Sequence, residues 1–217
     1  STYDALVEAT LVTREAVPGI DVTAARGIGG ARSAPRPLDE LVASKAVRLQ
    51  SGSRFSADDL DPQGSIRVLT AEGGDRAGCI DPLVAADRYP HAVRTEPGDV
   101  VFATSPPRAV VDEEGGARVA SPSRILRVDP VRAGIGPRAL AASINQLATS
   151  SEWKTWPVPA VPRDQVEALE ETLGQVVAHQ AELRRRERAA DSVITHVLTG
   201  VTEGSVALAT PLEMKAG

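Results

Sequence analysis

Side chains that could carry out catalysis are few and scattered in this 217-residue chain. Cys79 is the only cysteine, and with His91, His179 and His196 it forms none of the spacings that hold zinc or another metal. No hydrolase nucleophile motif, phosphate-binding loop or dinucleotide fingerprint is present. Gly27-Ile28-Gly29-Gly30 is a weak phosphate cradle, with no clear strand before it and no helix directly after it. The sequence therefore predicts a non-catalytic chain with no metal and no cofactor. What it does hold is arginine, 21 against the three lysines Lys45, Lys154 and Lys215. The planar guanidinium fork suits bidentate contacts to carboxylates, phosphates and guanine edges, although a high-GC genome gives the same bias.

Spacing narrows the arginines to those beside turn residues. Arg76 follows Gly73-Gly74, Arg108 follows Ser105-Pro106-Pro107, and Arg118 follows Gly115-Gly116. A glycine-rich backbone approaches a phosphate closely while the adjacent arginine reaches a phosphate or a guanine edge. Ser105, and Lys154 beside Trp153, complete the set of candidate polar contacts. Ser105-Pro106-Pro107-Arg108 superficially resembles the Asn/Asp-Pro-Pro-aromatic element of amino-methyltransferases. It lacks both the group that would hold the exocyclic amine and the aromatic that would stack on the base, so it is not a catalytic site.

Composition limits the ligand class. Net charge is −5, so any basic surface has to be local. Tyr3, Phe55, Tyr89, Phe102, Trp153 and Trp156 are the only aromatics, too few for a platform that stacks single-stranded bases. Apolar residues at 42% suffice for a core. No run of about 18 apolar residues suggests a membrane span, no signal peptide is evident, and a lone cysteine fits the cytoplasm. A chain that begins at Ser1, with Met214 as its only methionine, is expected to be a processed chain or a piece of a longer protein.

The elements that must position these residues fall into two parts, an α+β fold with a loop-rich body over 1–162 and a helical arm over 163–200, before a tail over 201–217. In the body, Asp39–Val47 predicts a short helix. Ile66–Thr70, Asp99–Thr104, Ala109–Asp112 and Ile125–Val128 predict strands, and Pro137 opens a helix running to Ala148. Glu113-Glu114-Gly115-Gly116 predicts a hairpin tip joining Ala109–Asp112 to Arg118–Ala120. The prolines of 156–162 impose an extended path, after which Asp164 to Thr199 contains none. Asp164 and Glu167 have capping-box spacing, and Gly200 marks the expected stop. About 36 residues of helix would be roughly 54 Å long, more than the width of a body of this size, so part of it needs another helix to cover its stripe. A heptad runs through Val166, Leu173, Gln180, Glu187 and Ile194, and through Leu169, Val176, Leu183, Ala190 and Val197. Val166, Leu169, Leu173, Val176, Leu183, Ile194 and Val197 are its apolar helix-pairing positions. Arg184-Arg185-Arg186-Glu187-Arg188 reads as a solvated face, not a DNA-binding run.

Taken in order, several segments resemble the target-recognition region of type I restriction-modification specificity subunits, or the equivalent region fused behind an adenine-specific DNA methylase. They are Leu38-Asp39-Glu40-Leu41 leading to Gly52-Ser53-Arg54-Phe55, Gly64 to Thr70, Glu96-Pro97-Gly98-Asp99 with its apolar strand to Thr104, Ala120 to Val128, Pro137 to Leu147, and Trp156-Pro157-Val158-Pro159 with Gln165 entering the long helix. The segment 149–154 is shorter than the family's, and one recognition region stands where a complete subunit carries two. The resemblance implies a body that reads double-stranded DNA, with Arg76, Arg108, Arg118, Ser105 and Lys154 as its candidate contacts, a helix that pairs within the subunit or in a homodimer, and an adenine methylase as partner. The alternative from another class is a protein-interaction adaptor whose head binds a protein and whose helix dimerises it.

Overall fold

The computed structural model describes residues 2–14, 34–72, 76–147 and 152–208. The glycine segment at 27–30 lies outside them. The chain divides into two compact units, Ala24–Leu173 and Ser1–Thr23 with Gly174–Gly217. That division differs from the sequence reading at both ends: the first residues group outside the body, and the body keeps the first turns of the long helix.

The architecture is α+β. Helix α1 (Thr2–Arg14) belongs to the smaller unit. The larger unit contains, in order, β1 (Arg36–Pro37), α2 (Leu38–Ala43), β2 (Val47–Ser51), β3 (Ile66–Leu69), β4 (Arg76–Ile80), α3 (Pro82–Arg88), β5 (Asp99–Thr104), β6 (Pro107–Asp112), β7 (Arg118–Val119), β8 (Arg124–Val128), α4 (Pro130–Ala133), α5 (Pro137–Asn145) and β9 (Pro157–Val158), then the start of α6 (Val166–Thr202). A four-stranded antiparallel sheet has the order β2-β8-β5-β6, a second sheet the order β4-β3-β7, and β1 pairs with β9.

The sequence of β5, Asp-Val-Val-Phe-Ala-Thr, is nearly all apolar because both of its faces are covered. Val100 and Phe102 join the core formed with α2, α5 and Trp156, whereas Val101 and Ala103 pack with Leu69 and Val119 of the second sheet. Trp156 meets Phe102 edge-on at 5.8 Å, and its carbonyl accepts the Leu38 amide at 2.9 Å, so the proline segment closes the core before the long helix begins. Phe55 and Tyr89 meet in a tilted ring contact, 4.7 Å between centroids, in a third cluster around Val68 and Ile80.

The turn that starts β5 is fixed electrostatically. Gly98 takes φ +89, where a side chain is strained, and aims the buried Asp99 carboxylate back at the turn. That carboxylate accepts the Glu96 amide at 2.8 Å and both arms of the Arg127 fork, at 2.9 and 2.8 Å. Arg127 also donates to Glu96 at 2.5 Å. The hydrogen bond to the Asp99 carboxylate in turn raises the Arg127 pKa.

The expected hairpin through Glu113–Gly116 does not form. β6 folds back on β5 through Ser105-Pro106, with Thr104 opposite Pro107. Gly115 and Gly116, at φ +70 and +77, instead carry the chain to the second sheet, where β7 pairs in parallel with β3. The expected helix over Asp39–Val47 stops at Ala43, and Val47 opens β2. Lys45 holds the left-handed position usual for glycine (φ +59), with Lys45 and Ala46 amides bonded to Val42 and Leu41 carbonyls.

At the far end of the body, a 3-10 turn over Arg163–Gln165 takes the place of the expected capping box, and α6 runs for 37 residues. Glu170 of α6 accepts the Arg138 and Ala139 amides at 3.0 and 2.8 Å and so caps α5, whose N-cap, Gly136, offers no side chain. A Cβ on Gly136 would stand 2.2 Å from the Glu170 side chain, which accounts for the glycine. Gly200 does not end the helix. It is buried under Val206, whose amide donates to the Gly200 carbonyl at 2.9 Å, and the helix ends at Thr202 before the left-handed Gly204.

Two stability predictions follow from these contacts. Asp99→Asn leaves the Arg127 fork without its buried charge partner, and denaturant melts should show a loss of about 3–5 kcal/mol. Glu170→Ala removes a charged helix cap, and the same melts should lose about 1–2 kcal/mol.

Candidate nucleic-acid interface

Ser105 and Arg108 stand together at the tip of the β5–β6 hairpin, both exposed. Arg108 makes no ion pair among the described residues. Its backbone is held firmly all the same: the Ala109 amide donates to Asn145 Oδ1 and Asn145 Nδ2 donates to the Ala109 carbonyl, each at 2.8 Å. Asn145 thus satisfies the outer edge of β6 and fixes the strand from which Arg108 projects. It was not foreseen in the sequence, where it reads as one more polar position on α5.

Arg118 is not the exposed loop arginine that the preceding glycines suggest. It lies in β7, is 7% exposed, and its Nε has no hydrogen-bond partner among the described residues. Beside it is Arg94, exposed and joined to it by an antiparallel bridge. Desolvation first, and the Arg94 charge second, lower the Arg118 pKa. Arg67, by contrast, is fully engaged: it donates to Asp112 at 2.9 Å and to the Gly115 carbonyl at 2.8 Å, while Thr95 donates to the other Asp112 oxygen at 2.5 Å. Arg94 is a second residue that the sequence reading missed, because only the tertiary bridge links it to Arg118.

The candidate residues therefore do not form one cluster. Arg108 lies four residues along β6 from Asp112, about 13 Å, and the Arg94–Arg118 pair belongs to the Asp112 end. Lys154 lies on a 3-10 turn and meets Glu152 at 3.7 Å, both exposed, a pairing of little energetic weight. Arg76 opens β4, and its side chain lies outside the described residues. An open cleft of about 680 Å³ near Arg127 is also lined by Lys45, Arg48 and Arg132. Glu96, Asp99 and Asp129 share its wall, so its charge is mixed.

The helix-pairing positions separate into three groups. Leu169 and Leu173 pack against the body's own core, so the start of the heptad stripe is used within the larger unit. Val166, Val176 and Val197 are half-buried, while Leu183 and Ile194 are 47% and 60% exposed. Nearby, Arg185 and then Arg186 draw the Glu182 pKa down to about 2 by hydrogen bonding.

The S subunit of the type I restriction-modification system of M. genitalium matches with 12% identity and a TM-score of 0.48, over 69% of this chain and 40% of that one. The HsdS subunit of Thermoanaerobacter tengcongensis matches at 12% and 0.43, over 90% and 52%. A third structure, described as the basis of complex assembly and conformational transition of the type I system, matches at 11% and 0.47, over 90% and 51%. This chain is similar in structure to type I S subunits. It spans about half the length of those structures, or less. No family model matches the sequence, and no curated protein matches it.

The Glu182 cluster gives a pH-dependent prediction. Its carboxylate is lowered in the fold from the ordinary value of 4.5 to about 2, so its contribution is complete above the ordinary value and disappears as pH falls from there through about 2. Glu182→Gln should lower the thermal midpoint at pH 7 and leave it unchanged at the acid end of that range. Circular dichroism melts across the range check this.

Proposed function

We propose that this chain is a non-catalytic module that recognises double-stranded DNA for a restriction-modification system, directing an adenine-specific methylase to its target. The observation that carries the reading is Arg108: an exposed arginine, without an ion pair among the described residues, on a strand edge that Asn145 locks in place. A rigid mount lowers the ordering cost of a base or phosphate contact, as a recognition arginine requires. The order of sequence segments supports the same reading, from Glu96-Pro97-Gly98-Asp99 at the head of β5 to the proline entry into the long helix. The small aromatic count fits it too, since Phe102 with Trp156 and Phe55 with Tyr89 are committed to packing, and groove reading by arginine needs none.

Under this reading the helix sets the distance between two recognition bodies, or between one body and the methylase. Leu183 and Ile194 are the pairing positions left exposed for that contact, within a homodimer or against a helix of the same subunit. The chain acts in the cytoplasm, where its DNA is.

Mobility shifts with a random duplex pool test the proposal. Binding should weaken steeply as salt rises, because neutralised phosphates release counterions. Arg108→Gln should weaken it by about tenfold, while Leu183→Ala with Ile194→Ala should leave the intrinsic affinity of a single body unchanged. No binding to any duplex at low salt would contradict the reading. Capture of a protein partner that tolerates Arg108→Gln, in the absence of DNA binding, would favour the adaptor.

A further inference from the structure

Arginine buried at its Nε without a carboxylate partner is costly, and in Arg118 the usual compensations are missing there. The residue is 7% exposed, and among the described residues its buried Nε has no hydrogen-bond partner and its side chain makes no ion pair. Its neighbour across the parallel ladder is Val68, which is fully buried and apolar. The carboxylates at that end of the sheet are taken: Asp112 by Arg67 and Thr95, and Asp99 and Glu96 by Arg127. The residue bridged to Arg118 is another arginine, Arg94, and Arg94 is exposed. Two like charges are thus held side by side, one interior and one at the surface, on backbone fixed by further bonds. The Thr95 amide donates to the Ala117 carbonyl at 2.9 Å, and the Gly116 amide to the Thr95 carbonyl at 2.8 Å. Such a pair repels itself when empty and is stabilised by an oxyanion that both forks can reach.

We propose that Arg94 and Arg118 form a binding site for a phosphate oxyanion. Arg94 is its solvent-facing arm and Arg118 its desolvated one. The inference rests on the proposed function only for the source of the anion, which that reading makes a DNA phosphodiester; free inorganic phosphate has the same chemistry. The site is separate from the hairpin tip that carries Arg108, so a duplex meeting both would be held at two points of the body.

The test uses the full chain and three proteins: wild type, Arg118→Met and Arg94→Gln. Thermal melts are recorded in inorganic phosphate and in chloride at equal ionic strength, and duplex affinity is measured by mobility shift. Phosphate should raise the wild-type midpoint by a few degrees over chloride. Arg118→Met, which replaces an unpaired buried charge with an apolar chain of similar length, should melt higher than wild type in chloride and lose the phosphate response. Arg94→Gln, at an exposed position, should fold normally and also lose that response. If the anion is a phosphodiester, both variants bind duplex about tenfold more weakly; an unchanged duplex affinity with the phosphate response lost assigns the site to free phosphate. The inference is overturned if wild type shows no phosphate response, if either variant keeps it, or if Arg118→Met melts lower than wild type or does not fold. None of those results bears on whether wild type binds duplex at all, so the two proposals fail separately.

Discussion

Because Val100 and Phe102 face the helices while Val101 and Ala103 face the second sheet, β5 has to lose water on both sides at once. A strand in that position tolerates a polar group only where its partners are complete, and Asp99 at its first residue is such a group. The Arg127 fork and the Glu96 amide satisfy the carboxylate, and in doing so they tie β8 and the preceding turn to β5. β6 is then placed by its hairpin to β5 and held at its edge by Asn145. The short β7 crosses to the other sheet and puts Arg118 beside Arg94. Arg108 thus sits on a strand paired with this central one, and Arg118 on a strand of the second sheet whose Val119 packs against it.

How far the fold could be read in advance depended on how local its causes are. β5 was legible residue for residue, since its Val-rich run is bounded by Pro-Gly on one side and Ser-Pro-Pro on the other. The α5 start was legible from Pro137, and the long helix from its lack of proline. β2 was not, because the α2 terminus uses Lys45 where a glycine would have signalled the end. The hairpin through Gly115-Gly116 failed for a different reason. Two left-handed glycines fit a tight turn equally well as a crossing between sheets, and only the pairing of β7 with β3 decides between them. Gly200 misled similarly: its small size makes room for Val206, not for a helix end.

The candidate site divides along the same line. Arg108 follows a turn that sequence can recognise, and it is exposed as that turn implies. Arg118 follows a glycine pair and was read as a surface residue, yet the sheet it joins buries it. Arg94 and Asn145 carried no sequence signal, since one matters through a bridge between distant segments and the other through an edge strand it caps. The heptad stripe was visible from spacing, but spacing could not show that Leu169 and Leu173 serve the body itself.

An acidic protein is an unpromising ligand for a polyanion until its charges are sorted by partner. Arg67, Arg127 and Arg138 are neutralised by Asp112, by Asp99 with Glu96, and by Glu113. Arg94, Arg108 and Arg118 have no such partner among the described residues, and Arg94 and Arg108 are exposed, so the net charge understates what the surface offers locally. Repeated selection from a randomised duplex library with the wild-type chain tests most directly whether that offer amounts to recognition. The account predicts enrichment of a defined sequence element over the starting library; a bound fraction with the same base composition as the input, round after round, would contradict it.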